Sequence, residues 1–215
     1  MKIAILFKIF FITTFFCSIL SARPVSHAGG WTMMSYNNYD RNSLLIHYSP
    51  TSKFSIGYKT QYWQEKEYLI NTLNFNYLAK RINKKYSQAN FYLKTGIGIL
   101  STDYKEYNNK KEFVYHGEFA GDWETRNFFV SYNNNALKSV SVDSMFMQKA
   151  KIGFAPYLAN YGSLHSWLIY EIRHMSEYED NYTSNFILRL YKSTNLLEIG
   201  IDENKNSTLN FIKRF

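Results

Sequence analysis

In the stretch RHMSEYED, His174 and Ser176 stand two residues apart, with Glu177 and Glu179 close behind. On an extended chain this spacing turns both side chains to one face. There an imidazole can take the proton of a hydroxyl, while a carboxylate such as Glu179 orients the ring. No oxyanion donor can be named beside the trio, and a histidine two residues before a serine is a short pattern. Soft-metal ligation is the other chemistry the residue types raise, through His27, His47, His116, His165, His174 and the pair Met145 and Met147. None of these has the tight spacing of a dedicated site. No metal and no cofactor are expected.

Composition narrows the classes. The chain has 215 residues, a net charge of +8, and aromatics at 19% with only 3 prolines, a mixture that favours strands. Lys and Arg are scattered singly and never form the dense basic patch of a nucleic-acid binder. The excess charge suits an anionic lipid surface equally well. At the N-terminus, Lys2 is followed by an apolar run from Ile9 to Leu20 and then by small residues, the form of an export signal. Residues 1–28 are read as that signal, with cleavage after Ala28 or, less neatly, after Ala22, and 29–215 as one mature domain. The single cysteine, Cys17, lies inside the signal. The exported chain therefore has no thiol, and its stability must come from architecture.

Beyond the signal the recurring period is two. In FSIGYKTQY, Phe54, Ile56, Tyr58 and Tyr62 share one face while Ser55, Gly57, Lys59 and Gln61 share the other. NFYLKTGIGI, MFMQKAKIGF and NFILRLY repeat the alternation, and polar clusters such as SPTSK, NKKYSQ and DENKNS separate the runs. Twelve strands are expected, near 31–36, 42–48, 54–63, 67–80, 89–101, 112–120, 122–133, 145–158, 164–177, 183–192, 195–202 and 207–215. Several runs reach the nine or so residues a tilted strand needs to cross a bilayer. Aromatics concentrate toward strand ends, where interfacial girdles lie. The expected fold is all-β: an antiparallel up-and-down transmembrane β-barrel of about twelve strands, with ten or eight as alternatives.

If the last strand runs inward to the periplasm, the inner turns are SPTSK, NKKYSQ, a tight turn at Ala120 and Gly121, NYGS and KST. The longer connections, including 102–111 and 134–144, then lie outside. The inward face would carry His47, Lys59, Lys94, His116, Glu118, Lys149, Lys151, His165, Glu171, Arg173, Arg189 and Glu198. Both signs occur, so charges can pair across the lumen, and the excess of Lys and Arg would favour anions.

With its signal, alternating strands and terminal Phe215, the chain resembles the small outer-membrane β-barrels of Gram-negative bacteria. The resemblance implies an outer-membrane location, contact with membrane lipid and lipopolysaccharide, and recognition by the barrel-assembly machinery. In that group the last strand ends on an aromatic with apolar residues at alternate positions before it. Leu209, Phe211 and Phe215 match, and Lys213 departs from the pattern. His174 and Ser176 also look like the pair of outer-membrane lipid A deacylases, although Glu177 stands where those enzymes have Asn. The expectation is a structural barrel or small passive pore, with an outer-leaflet lipid hydrolase and a surface adhesion protein as alternatives. Deleting Phe215 is expected to lower the amount of chain assembled in the outer membrane, measured in that fraction against wild type. Unchanged levels would count against the assembly role.

Overall fold

The computed structural model describes residues 23–215 apart from 105, 106, 108, 161 and 177–181. Twelve strands follow in order: β1 (Gly30–Asn37), β2 (Arg41–Ser49), β3 (Phe54–Trp63), β4 (Tyr68–Asn83), β5 (Gln88–Thr102) and β6 (Lys110–Glu124). After them come β7 (Phe128–Ser139), β8 (Ser144–Phe154), β9 (His165–Met175), β10 (Tyr182–Lys192), β11 (Asn195–Asp202) and β12 (Ser207–Arg214). Each pairs antiparallel with its chain neighbours, and β1 closes on β12. Thr32 faces Arg214 and Asn37 faces Leu209 across that seam. Phe215 N donates to Trp31 O at 3.0 Å, extending the closure to the last residue. No sheet edge is left, so the ladder satisfies the strands' backbone groups internally.

Alternation divides the side chains into two environments. Leu73, Phe75, Leu93, Ile97, Ile152, Leu168 and Phe186 stand exposed on the outer face. Between them, polar residues such as Ser55, Asn74, Asn76 and Glu198 are buried. This inverts a soluble protein, and it suits a wall with lipid outside and a polar interior. Outward aromatics ring the end that carries the termini: Trp31, Tyr77, Phe91, Trp123, Phe128, Phe154 and Phe215. Tyr62, Phe113, Tyr115, Phe146 and Tyr182 ring the other. Rings at both limits of the apolar band are the girdles a bilayer interface requires.

Three connections differ from the sequence reading. The chain does not turn at Ala120 and Gly121, because β6 continues to Glu124, with Gly121 opposite Phe91 and Tyr132. It turns at Thr125, whose Oγ1 accepts from Asn127 N at 3.2 Å and Phe128 N at 2.9 Å. This side-chain cap outcompetes the glycine as a turn signal. Next, β7 runs on to Ser139, so the long loop expected at 134–144 shrinks to residues 140–143. Finally, β8 stops at Phe154 ahead of Pro156, which has no N–H to give a ladder. The connection that follows, 155–164, lies at the end that carries the termini and is longer than 103–109 at the opposite end. The expected asymmetry of short inner and long outer connections fails at that position.

The short 140–143 loop is pinned by Glu112, which lies beyond the aromatic ring formed with Phe113. Its carboxylate accepts from Ser141 N at 2.8 Å, Val142 N at 3.1 Å and Ser141 Oγ, and pairs with Lys110 at 3.0 Å. Burial alone would raise the Glu112 carboxyl, but these hydrogen bonds together hold it down at about 2. Because the folded value lies below the ordinary 4.5, the docking energy is fully present above pH 4.5 and disappears as pH falls through 2. Protection of the Ser141 and Val142 amides, the observed exchange rate relative to the intrinsic rate at each pH, should stay constant from neutral pH to about 4.5 and then fall on further acidification. In Glu112→Gln this fall should vanish.

Candidate functional site

The inward faces enclose a cavity of about 310 Å³. Of the twelve residues expected to line the lumen, Lys59, Lys94, His116, Glu118, Lys149, Lys151, Glu171, Arg173, Arg189 and Glu198 border it. Two others face inward but lie outside it. His47, opposite Thr32 and Gly57, is fully buried near the end that carries the termini. His165 is held at that same mouth by the 155–164 connection. Its Nε2 lies 3.2 Å from Tyr157 O, and its ring lies between those of Tyr157 and Trp167.

The charges are organised into networks. Arg189 on β10 donates to Glu198 Oε1 on β11 through Nε at 2.8 Å and Nη2 at 2.7 Å, while Asn210 Nδ2 on β12 donates to Glu198 Oε2 at 2.9 Å. Lys151 on β8 reaches over the intervening strands to Glu198 at 3.6 Å and pairs with Glu171 at 3.0 Å. Lys149 stands 3.9 Å from Glu171, at the limit of an ion pair. On the other side of the barrel Lys94 contacts Glu118 at 2.6 Å, and Asn133 Nδ2 donates to the same oxygen at 2.9 Å. Charges this enclosed persist because each carboxylate is met by cations, joined at Glu198 and Glu118 by an asparagine amide.

Between the networks His116 Nε2 lies 2.8 Å from Asn74 Oδ1, across the place where Gly96 has no side chain. A Cβ on Gly96 would come within 2.2 Å of that nitrogen, so the contact exists because the intervening residue is glycine. Toward the far mouth Arg173 on β9 pairs with Asp40 at 2.5 Å, tying the β1–β2 turn to the opposite wall. Arg41 lies over the Trp63 ring at 5.1 Å and points Nη2 at Met147 Sδ, 3.7 Å away. No carboxylate within ion-pair distance is described for Arg41 or Lys59.

Among the described lining side chains seven are cationic (Arg41, Lys59, Lys94, Lys149, Lys151, Arg173 and Arg189) against four carboxylates (Glu118, Glu171, Glu198 and Asp202). Arg41 and the inward asparagines escaped the sequence reading. Asn74 and Asn76 had a legible signal, since in NTLNFNY they alternate with Leu73, Phe75 and Tyr77. Arg41 had none, because its turn cluster NNYDR reads as loop.

His174 and Ser176 fall away from the lumen. His174 follows Leu168, Tyr170 and Ile172 on the outer face, its ring 4.7 Å from that of Tyr182. Its Nδ1 is buried without a hydrogen-bond partner among the described residues. Ser176 Oγ accepts from Phe146 N at 3.1 Å, while Ser176 N donates to Phe146 O at 3.0 Å, so the serine continues the β8–β9 ladder. Glu177 and Glu179 lie outside the described residues. At the closing strand Leu209 and Phe215 are exposed on the outer face. Lys213, the residue that departs from the expected pattern, sets its Nζ 4.9 Å from the Phe215 ring centroid, where the ring face offsets part of the cost of the charge.

No protein-family model and no curated protein sequence matches the chain. Among solved structures it is similar to the KdgM porin, with TM-score 0.51 and 10% identity over 86% of this chain and 98% of that one. The KdgM porin in complex with disordered oligogalacturonate gives TM-score 0.50 and 11% identity over the same shares. LpxR from Salmonella typhimurium gives 0.46 and 8% identity over 86% and 99%. At these identities the likeness to the porin concerns the fold: a closed antiparallel twelve-stranded barrel of the Gram-negative outer-membrane kind.

Glu198 is where the larger network converges. Glu198→Gln leaves Arg189 without its carboxylate and Lys151 with Glu171 alone in an enclosed site, and is expected to cost about 3 kcal/mol in urea unfolding followed in detergent micelles. A loss below a third of that would show that water, not Glu198, carries these cations.

Proposed function

We propose that the protein is an outer-membrane β-barrel acting as a narrow passive pore with a preference for small anions. The observation that carries this reading is the excess of cations among the described residues of the cavity wall, together with two of them, Arg41 and Lys59, for which no carboxylate partner is found among the described residues. A paired cation is neutralised toward a passing ion. An unpaired one contributes its full field in a space where water is scarce. Lys59 on β3 and Lys149 on β8 approach the same cavity from different walls, so a permeating anion meets positive charge on more than one side. The similar porin is described with oligogalacturonate, a polyanion. That agrees with the sign of this lumen without naming its solute.

Residence in the outer membrane is supported by the outward apolar band between two aromatic rings, and by the export signal read in the sequence. Assembly by the barrel-assembly machinery and contact with lipopolysaccharide belong to the same proposal, as does the role of Leu209, Phe211 and Phe215 as the assembly signal. Hydrolysis at His174 and Ser176 has less to stand on, since the Ser176 hydroxyl oxygen is engaged by the backbone of Phe146.

Purified protein in planar bilayers under a KCl gradient should give small, stable channels with a reversal potential displaced toward that of chloride. Lys59→Glu with Lys149→Glu should move the reversal potential toward that of potassium. An absence of channels, or cation preference in the wild type, would overturn the reading.

A further inference from the structure

Residues 23–28 precede the first strand, yet they do not hang from the barrel. Arg23, Val25 and Ser26 are 4%, 2% and 5% exposed. The segment turns in at Gly29, whose φ of +82° is a conformation that glycine adopts without strain. It then crosses the mouth from one wall to the other. Ser26 N donates to Ser49 Oγ at 3.0 Å at the end of β2, and Ser55 Oγ on β3 donates to Pro24 O at 2.8 Å. Val25 packs with Leu78 on β4 and Tyr92 on β5. Arg23 reaches Glu124 at the end of β6 in an ion pair. Six residues thus touch strands from β2 to β6, and Pro24 forms part of the cavity wall at this end.

From this packing we propose that export cleavage hydrolyses the Ala22–Arg23 bond, one water giving the Ala22 carboxylate and the Arg23 ammonium. Residues 23–28 then stay in the mature protein as a plug that narrows the periplasmic mouth. Cleavage after Ala28 would satisfy the small-residue rule better. It would also strip Leu78 and Tyr92 of their apolar cover, leave Glu124 without its guanidinium, take the Ser26 donor from the Ser49 hydroxyl and take from the Ser55 hydroxyl the acceptor of its proton. A barrel built for that shorter chain has no reason to keep complementary groups on five strands. Among the described residues the plug is held by the Arg23–Glu124 ion pair, the hydrogen bonds at Ser49 and Ser55, that from Gly30 N to His27 O, and the buried Val25, a set small enough to open and reclose without unfolding the barrel. Its effect on flow rests on the pore reading; the cleavage position and the placement of the segment do not.

Three measurements test it. Protein extracted from outer membranes should begin at Arg23 by mass and N-terminal sequencing, and a chain beginning at Gly29 would overturn the proposal. In the mature chain, free of native cysteine, Val25→Cys with Leu78→Cys should form an internal disulfide under oxidation, and failure to form it in folded barrels would refute the plug's placement. Val25→Asp with Glu124→Gln should raise single-channel conductance by about twofold or more, and unchanged conductance would overturn the narrowing. Should neither wild type nor variant conduct, the pore reading falls while the first two results still decide the plug.

Discussion

The backbone's need for hydrogen bonds where there is no water governs this molecule. An amide left unpaired in hydrocarbon costs several kcal/mol, so a chain without a long apolar helix crosses a bilayer only by pairing every strand with two others. Closing β1 on β12 meets that need. The pleat then sends alternate side chains outward to lipid and inward to whatever the ring encloses. The low mean hydropathy, the buried asparagines and the exposed Leu, Ile and Phe follow from this one condition. Half of each strand is selected for a different solvent from the other half.

This condition also explains what the sequence revealed. Strand existence, number and facing were legible because period two is imposed at every position, and a one-residue slip would turn charges such as Lys94 and Glu118 into lipid. Boundaries were less legible because they depend on competition between local turn chemistry and ladder propagation. Gly121 resembles a turn residue, yet the ladder carries it on until Thr125 caps the reversal. The asparagine run at 133–135 resembles a loop, yet Asn133 faces inward to Glu118 and Asn134 pairs opposite Phe119. Which charges pair was not legible at all. Lys151 meets Glu198 across two intervening strands, and only barrel curvature brings those side chains together.

Enclosure sets a cost that the lumen meets unevenly. Glu198 gathers Arg189, Lys151 and Asn210, and Glu118 gathers Lys94 and Asn133, so at these points the interior is braced as a solid. Among the described residues Arg41 and Lys59 have no such answer. Both are half-buried, and a wall optimised only for stability would supply them with carboxylates, since a cation drawn even partly from water without an opposite charge costs free energy. Their presence beside fully braced neighbours is the feature on which the proposed pore rests.

Closure has a consequence for order in time as well. The seam joins the first strand to the last, the pairing with the greatest separation along the chain and so the highest loop entropy to overcome. The segment before β1 finds its partners on β2 to β6, which are adjacent in sequence and can associate before β12 arrives. The mouth therefore need not wait for the ring to close in order to be filled. Arg23 to Ser26 and Phe215 thus lie at the same mouth, the first held by side chains of β2 to β6 and the last by a ladder bond to Trp31.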